Sequence, residues 1–477
     1  MSKALAIGLV AAMLASGVAG AQSAELPDAV QRVLTGHGIS PDQVSIVVQA
    51  IGADQPILSH EAATPRNPAS VMKLVTTWTA LEVLGPAYTW PTEVYFLDDF
   101  DGRVLYGDLA IKGYGDPFLV VEEFWKLLRG LRRVGLEEIH GGLLLDDSYF
   151  APAHEDPGAF DGQPYRTYNV GPNALLANFK AVRFQFFADP NNNRVNIVTD
   201  PELANLRIRN ELRLVDGPCR GYQAGVSFNV TDPDDGNSRV VFGGDFASRC
   251  SGYGLSRTVL DHDTYVYGLF RSLWGELGGQ IDGGLLRGQV PEDASLVLTW
   301  RSPPLAEVIR SINKNSNNVM TRQLLLTLGA EHREPPGTEA SGIEVVTEFL
   351  QSRGLHDGSL KMVNGAGLSR EGRVSARMLA DILLAAAADV YAPEFMASLS
   401  LAGLDGTTRG RFDDASGNGI MHVKTGRLDD VSALAGYAHA DDGKTYVLAI
   451  LVNAEDAHRG PGQELEEAVT GWLHDLH

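Results

Sequence analysis

Cysteine is almost absent from this chain: 477 residues contain two, Cys219 and Cys250. No Cys-x-x-Cys spacing occurs and the 12 histidines are scattered, so neither a structural zinc site nor a thiol redox pair is expected, and no metal or cofactor is predicted. Long apolar runs are missing beyond the N-terminus; nothing later approaches the ~20 residues that cross a bilayer as a helix. Positive charge is scarce. Lys and Arg total 39 against 60 Asp and Glu, a net charge of −21, and no basic cluster offers the footprint a nucleic-acid partner needs. Internal repeats and low-complexity tracts are also lacking, which excludes solenoid architectures.

The N-terminus reads MSKALAIGLVAAMLASGVAGA. Lys3 precedes an apolar run from Ala4 to about Val18, and Ala19 and Ala21 follow in A-x-A spacing. This is the layout of a cleavable secretory signal over residues 1–21, cut before Gln22. The expected mature protein of 477 − 21 = 456 residues is exported and carries no membrane anchor after cleavage. Its length suggests two or three domains. Apolar residues make up 44%, enough for a sizeable core. In an oxidising compartment two cysteines read as one disulfide, Cys219–Cys250.

Residues 43–60 show two strands around a Gly52–Pro56 turn. A helix follows in NPASVMKLVTTWTALEVLGP, with Asn67 as N-cap, Pro68 at its first position and Gly85-Pro86 as the stop. It is apolar on nearly every side and is therefore expected to be buried. From about 94 to 295, short alternating runs broken by DDFDGR, DPNNN and TDPDDGN predict a mostly β region. Helical periodicity returns at 304–312, 316–328, 340–353 and 375–387. Strand-like runs at 419–425, 431–439 and 445–453 and a helix close the chain. Two N-terminal strands cannot cover the apolar helix alone, but three C-terminal strands added to them can. The predicted architecture is an α/β domain built from both chain ends, 22–93 and 296–477, with a β-rich insertion over 94–295.

Three places carry chemistry. In Ser70-Val71-Met72-Lys73, positions i and i+3 share a helix face, so hydroxyl and amine can meet. Ser70 falls in the first turn, where free N–H groups and the helix dipole favour negative charge. Lys73 serves as a base if burial and a second cation lower its pKa. The spacing alone is weak, since Ser311-Ile312-Asn313-Lys314 shares it. In Ser316-Asn317-Asn318, Ser316 reads either as a helix N-cap or as a proton relay, with Asn318 holding a substrate amide. The same triplet also occurs in Ser227-Phe228-Asn229 and Ser311-Ile312-Asn313. Lys424-Thr425-Gly426 occurs once. On a strand edge it offers Lys424 and Thr425 to a carboxylate, and Gly426 lets substrate approach the backbone.

SxxK, SxN and KTG in this order are shared by penicillin-binding proteins and serine β-lactamases. With LYGDLAIKGYGDPFL, GGLLLDDSYF and VNGAGLSREGRVSARML, and the wide gap between SxxK and SxN, the chain resembles the D-alanyl-D-alanine carboxypeptidase/endopeptidases, the low-molecular-mass class C penicillin-binding proteins. The resemblance implies a penicillin-binding/β-lactamase-like transpeptidase domain, an antiparallel sheet with helices, carrying two inserted domains of largely β character. It implies hydrolysis of D-alanyl bonds in peptidoglycan peptides through an acyl-Ser70 ester, with Lys73 as base. Ser316 and Lys73 move protons, backbone N–H groups of Ser70 and Arg427 hold the oxyanion, and Lys424 and Thr425 grip the terminal carboxylate. β-Lactams act as covalent inhibitors. Asp146, or Asp147 in its place, reaches from the insertion towards the cleft, and Lys314 supplies a second charge near Lys73 or is solvated. A homodimer rests on family analogy alone. Arg427 departs from the small or hydroxylated residue familiar after KTG. The implied location is the periplasm, with loose membrane association left open.

Competing readings are a serine β-lactamase, for which no deacylating carboxylate is evident, a catalytically dead wall-binding protein, against which the three intact motifs argue, and a small-ester esterase of the same fold.

Overall fold

The structure, a computed structural model, describes residues 25–152, 156–219, 225–231, 238–250, 252–412 and 419–476. The expected signal segment 1–21 and most of the 231–237 turn lie outside the described residues.

The central sheet has the strand order Ser400–Leu401, Met421–Leu428, Val431–His439, Thr445–Asn453, Val44–Ala50, Leu58–His60, antiparallel throughout. Its N-terminal strand, VSIVVQA, is buried at every position. Alternate side chains of such a strand point to opposite faces, so both faces must be covered. They are. Ile46 and Val48 join Val30 and Leu34 of helix Asp28–His37 and Leu465 and Val469 of helix Pro461–His474. Val47 joins the opposite layer, where Val75, Trp78, Ile309, Leu324 and Leu379 come from helices Met72–Leu84, Leu305–Asn315, Asn318–His332 and Ala376–Ala388. Helix Met72–Leu84 lies within this layer, with Met72 through Leu81 all buried, which is why it is apolar all round.

Its start differs from the expectation. The α-helix begins at Met72, preceded by a 3-10 turn over Ala69–Val71. Asn67 accepts from the Ala69 N–H at 2.9 Å, so it caps this tighter turn. Ala69 sits at φ 45°, and its strained turn carries Ser70 next to it.

The region between the two ends holds more helix than the alternating texture indicated: Val121–Val134 and His262–Glu276. Phe124, Leu127, Leu128 and Leu131 are buried at helical spacing in the first of these. A five-stranded sheet runs Leu285–Arg287, Leu143–Asp146, Leu109–Gly113, Pro91–Phe96, Ser295–Arg301. Its last two strands straddle positions 94 and 295, so residues 91–93 and 296–301 pair within this sheet. Two three-stranded sheets share its core, with Phe184, Phe186, Phe242 and Phe246 packed together. Cys219 and Cys250 are joined as a disulfide, with Cys250 buried in this core.

Candidate active site

Ser70 and Lys73 meet as their spacing predicts: Lys73 Nζ lies 3.0 Å from Ser70 Oγ. The amine also donates to Asn318 Oδ1 at 2.7 Å and to the Ala366 carbonyl at 2.6 Å. Its side chain is fully buried. Burial drives its pKa well below the usual lysine value, and the nearby Lys424 charge lowers it further. That charge is the second cation. Lys314 does not supply it; it is tied to Asp405 in an ion pair.

Lys424 comes from strand Met421–Leu428 of the central sheet and is also fully buried. It donates to Ser316 Oγ at 2.9 Å and to the Thr425 carbonyl at 2.7 Å, and burial brings its pKa down to about 7. Ser316 is not a helix N-cap. It closes helix Leu305–Asn315 in a left-handed conformation, φ 54°. Asn317 caps the next helix, accepting from the Met320 N–H at 3.1 Å. The break between two helices points Ser316 and Asn318 into one site. Asn318 Nδ2 donates to the Tyr168 carbonyl at 3.0 Å, so its amide orientation is fixed at both ends.

Gly426 has a tighter reason to be glycine than substrate approach. A Cβ there would lie 2.4 Å from the Pro68 carbonyl oxygen and 3.1 Å from Ser70 N. The strand therefore presses directly on the turn that carries Ser70. Thr425 Oγ1 lies 2.7 Å from Thr407 Oγ1. The neighbouring strand Ser400–Leu401 pairs only with Val423 and His422, so that edge is not laddered from Lys424 to Leu428 among the described residues. Arg427 is exposed beyond it.

Asp146 is corrected. It is buried in the insertion, accepts from Ser148 N–H and Oγ and from Val290 N–H, and lies 3.6 Å from Lys112. A carboxylate so engaged holds two segments together and does not reach the cleft. Asp147 is exposed and accepts from Asn173.

The three sequence motifs leave out the loop Asn364–Gly367. Gly365 and Gly367 adopt φ 69° and 77°, and this backbone brings the Gly365 carbonyl to Thr76 Oγ1 and the Ala366 carbonyl to Lys73. A Cβ on Gly367 would overlap the Ala69 carbonyl. The Gly-x-Gly pattern was the available signal. Tyr168 and Thr407 had none. Asp430, Asp456 and His458 bring three metal-type ligand atoms within 4.8 Å on the surface, the one such group among the described residues. Their bonds to one another's backbone, Asp430 N–H to His458 and Asp456 N–H to Asp430, account for the cluster as a turn lock.

The site can support acyl transfer: a hydroxyl on a strained turn, a buried amine against it, and a buried cation with hydroxyls along an open strand edge. Comparison with known proteins agrees. Residues 26–476 match the family described as D-Ala-D-Ala carboxypeptidase 3 (S13). The D-alanyl-D-alanine carboxypeptidase DacB of Haemophilus influenzae is 24% identical, covering 86% of this chain and 85% of its own. The D-alanyl-D-alanine carboxypeptidase of an Actinomadura species is 27% identical, with coverage of 93% and 83%. The crystal structure of penicillin binding protein 4 from Haemophilus influenzae superposes with a TM-score of 0.78 at 23% identity, over 94% of this chain and 99% of that one. A predatory peptidoglycan endopeptidase from Bdellovibrio bacteriovorus gives 0.54 at 17%, over 90% and 92%. With a family match spanning nearly its whole length, the chain belongs to the D-Ala-D-Ala carboxypeptidase 3 (S13) family of serine peptidases.

Proposed function

We propose that this serine peptidase cleaves D-alanyl bonds of peptidoglycan stem peptides and cross-links through an ester on Ser70. The observation that carries this reading is the buried Lys73 amine 3.0 Å from Ser70 Oγ. When Lys73 is neutral, its two N–H groups satisfy the Asn318 and Ala366 oxygens, and its lone pair is left for the Ser70 proton. Ser70 then attacks the carbonyl of the penultimate D-alanine. Backbone N–H groups of Ser70 and Arg427 receive the oxyanion, a contribution of roughly 2.7–4 kcal/mol for each such donor. Ser316, hydrogen-bonded to Lys424, passes a proton to the leaving amine. Water hydrolyses the ester.

Substrate lies along the open edge of strand Met421–Leu428 as an added strand, with its terminal carboxylate at Lys424 and Thr425. A β-lactam enters the same way. Export through the 1–21 signal would place the enzyme in the periplasm, next to its substrate. No helix among the described residues is long and apolar enough to cross a membrane. The segment 94–295 is read as an inserted unit, with strands Pro91–Phe96 and Ser295–Arg301 at its root.

Intact-mass analysis after incubation with benzylpenicillin, beside Ser70→Ala, tests the reading. The expected result is a lasting adduct of one penicillin that the variant lacks. Fast penicillin loss without an adduct would favour a β-lactamase. Folded protein showing neither adduct nor turnover would overturn the acyl-enzyme and leave a wall-binding protein.

A further inference from the structure

A cavity of about 550 Å³ is lined by residues that immediately precede Ser316 and Thr407 in the chain. That volume suits a peptide-sized ligand. Helix Leu305–Asn315 gives it Val308, Arg310 and Lys314, the Asp405–Arg409 turn gives it Arg409, and Phe118 comes from the insertion. It is continuous in the chain with the site on both sides. Lys314 and Asn315 lead directly into Ser316, which receives the Lys424 hydrogen bond. Asp405 and Gly406 lead directly into Thr407, which bonds Thr425.

The charges in this wall are not all matched. Lys314 and Asp405 neutralise each other. Arg310 and Arg409 are exposed, and among the described residues neither side chain makes a hydrogen bond or ion pair, although the Arg310 charge also acts on Asp405. Glu307, one turn before Arg310, is the other acid lining the cavity among the described residues. The wall thus carries three cations and two anions within a protein of net charge −21. Two exposed guanidiniums over an apolar floor of Phe118 and Val308 match a carboxylate on a peptide chain.

We infer that this cavity binds the leaving chain of a cross-linked substrate, with Arg310 and Arg409 holding free carboxylates on that chain. The inference rests on the acyl-Ser70 reading. In a simple stem peptide the leaving group is one D-alanine, which ends at the carboxylate held by Lys424 and Thr425 and never enters the cavity. In a cross-link the leaving amine belongs to a diamino acid, and the rest of a second, acidic stem peptide continues past that point. The chain has to leave the strand edge near Ser316 and Thr407, whose chain neighbours Asn315 and Gly406 line the cavity. Arg310 and Arg409 therefore favour endopeptidase over carboxypeptidase action.

The test compares the mature protein with Arg310→Ala, Arg409→Ala and the double variant. The substrates are a D-Ala-D-Ala stem pentapeptide, a cross-linked dimer of two stems, and the same dimer with the leaving stem's carboxylates amidated. The ratio of kcat/KM for dimer over pentapeptide should fall about tenfold or more in the double variant, as for loss of charge-assisted hydrogen bonds. Amidation should cost the wild type a similar factor and the double variant little. Parallel loss on dimer and pentapeptide, an unchanged ratio, or a wild type that cleaves no dimer would each overturn the inference. Benzylpenicillin acylation of every variant monitors Ser70 separately; its absence in the wild type would count against the acyl-enzyme reading itself.

Discussion

Two lysines buried in one site cannot both hold a proton cheaply, and their difference in setting assigns the roles. Lys73 is enclosed by carbonyl-type oxygens and feels the charge of Lys424; Lys424, brought to about 7 by burial, faces the hydroxyl of Ser316. Lys73 is the amine in contact with the Ser70 hydroxyl, and on the proposed reading it is the base, so acylation should rise with pH as Lys73 loses its proton. Replacing Lys424 with methionine removes a neighbouring charge, makes protonated Lys73 less costly and raises its pKa. The acidic limb of the acylation pH profile should therefore move to higher pH, alongside a lower maximal rate. Benzylpenicillin acylation rates measured across pH check this; an unmoved limb would show the two amines to be uncoupled. Ser70, Lys73, Ser316, Asn318 and Lys424 were all legible as residue types at fixed spacing. Asp146 was misread because a carboxylate in a familiar stretch looks the same in sequence whether it faces a cleft or three internal donors.

At the scale of elements, the site is an assembly of a turn, a helix break, a strand and a glycine loop pressed together. Gly426 is the tightest joint, because the atom a side chain would meet is the Pro68 backbone carbonyl, which cannot swing aside. Gly426→Ala should push the strand from the Ser70 turn by a fraction of an ångström to an ångström. A displacement of that size costs on the order of 100-fold in acylation rate. Stopped-flow acylation beside a thermal melt measures it; a wild-type rate would show that this close contact is dispensable. The elements themselves were largely readable. The fully buried strands and the all-round apolar helix announced a covered sheet. The start of that helix was misplaced because Asn67 caps a 3-10 turn as readily as an α-turn. Helix Val121–Val134 was passed over within strand-like surroundings despite its regular apolar spacing.

The whole molecule has two principal bodies of core, one around the central sheet and one within the intervening region. The disulfide belongs to the second, and its two ends are 31 residues apart. Cys219→Ser with Cys250→Ser should remove about 3–4 kcal/mol, a fall of about 10 °C in melting temperature for a region of this size. Calorimetry with and without reductant reads this directly. Penicillin acylation of the variant at 25 °C should persist, because the catalytic turn is built in the other core. Lost acylation in protein that is still folded would mean that the intervening region shapes the catalytic turn.

By itself the sequence determined the reaction class, the order of the motifs and the closing of one sheet by both chain ends. Those depend on residue types at short spacing and on strand and helix periodicity, which are local. The capped, apolar helix already favoured Ser70-Lys73 over Ser311-Lys314 in the sequence; only the tertiary structure shows what gathers around each pair. Ser70-Lys73 converges with Asn318, Ala366 and Lys424, whereas the Ser311 and Lys314 positions line the cavity outside. It also decided that Lys424 rather than Lys314 lowers the Lys73 pKa, since a competing carboxylate, Asp405, is supplied from 91 residues away. Charge pairing and burial are set by groups distant in the chain, and no spacing within a motif records them.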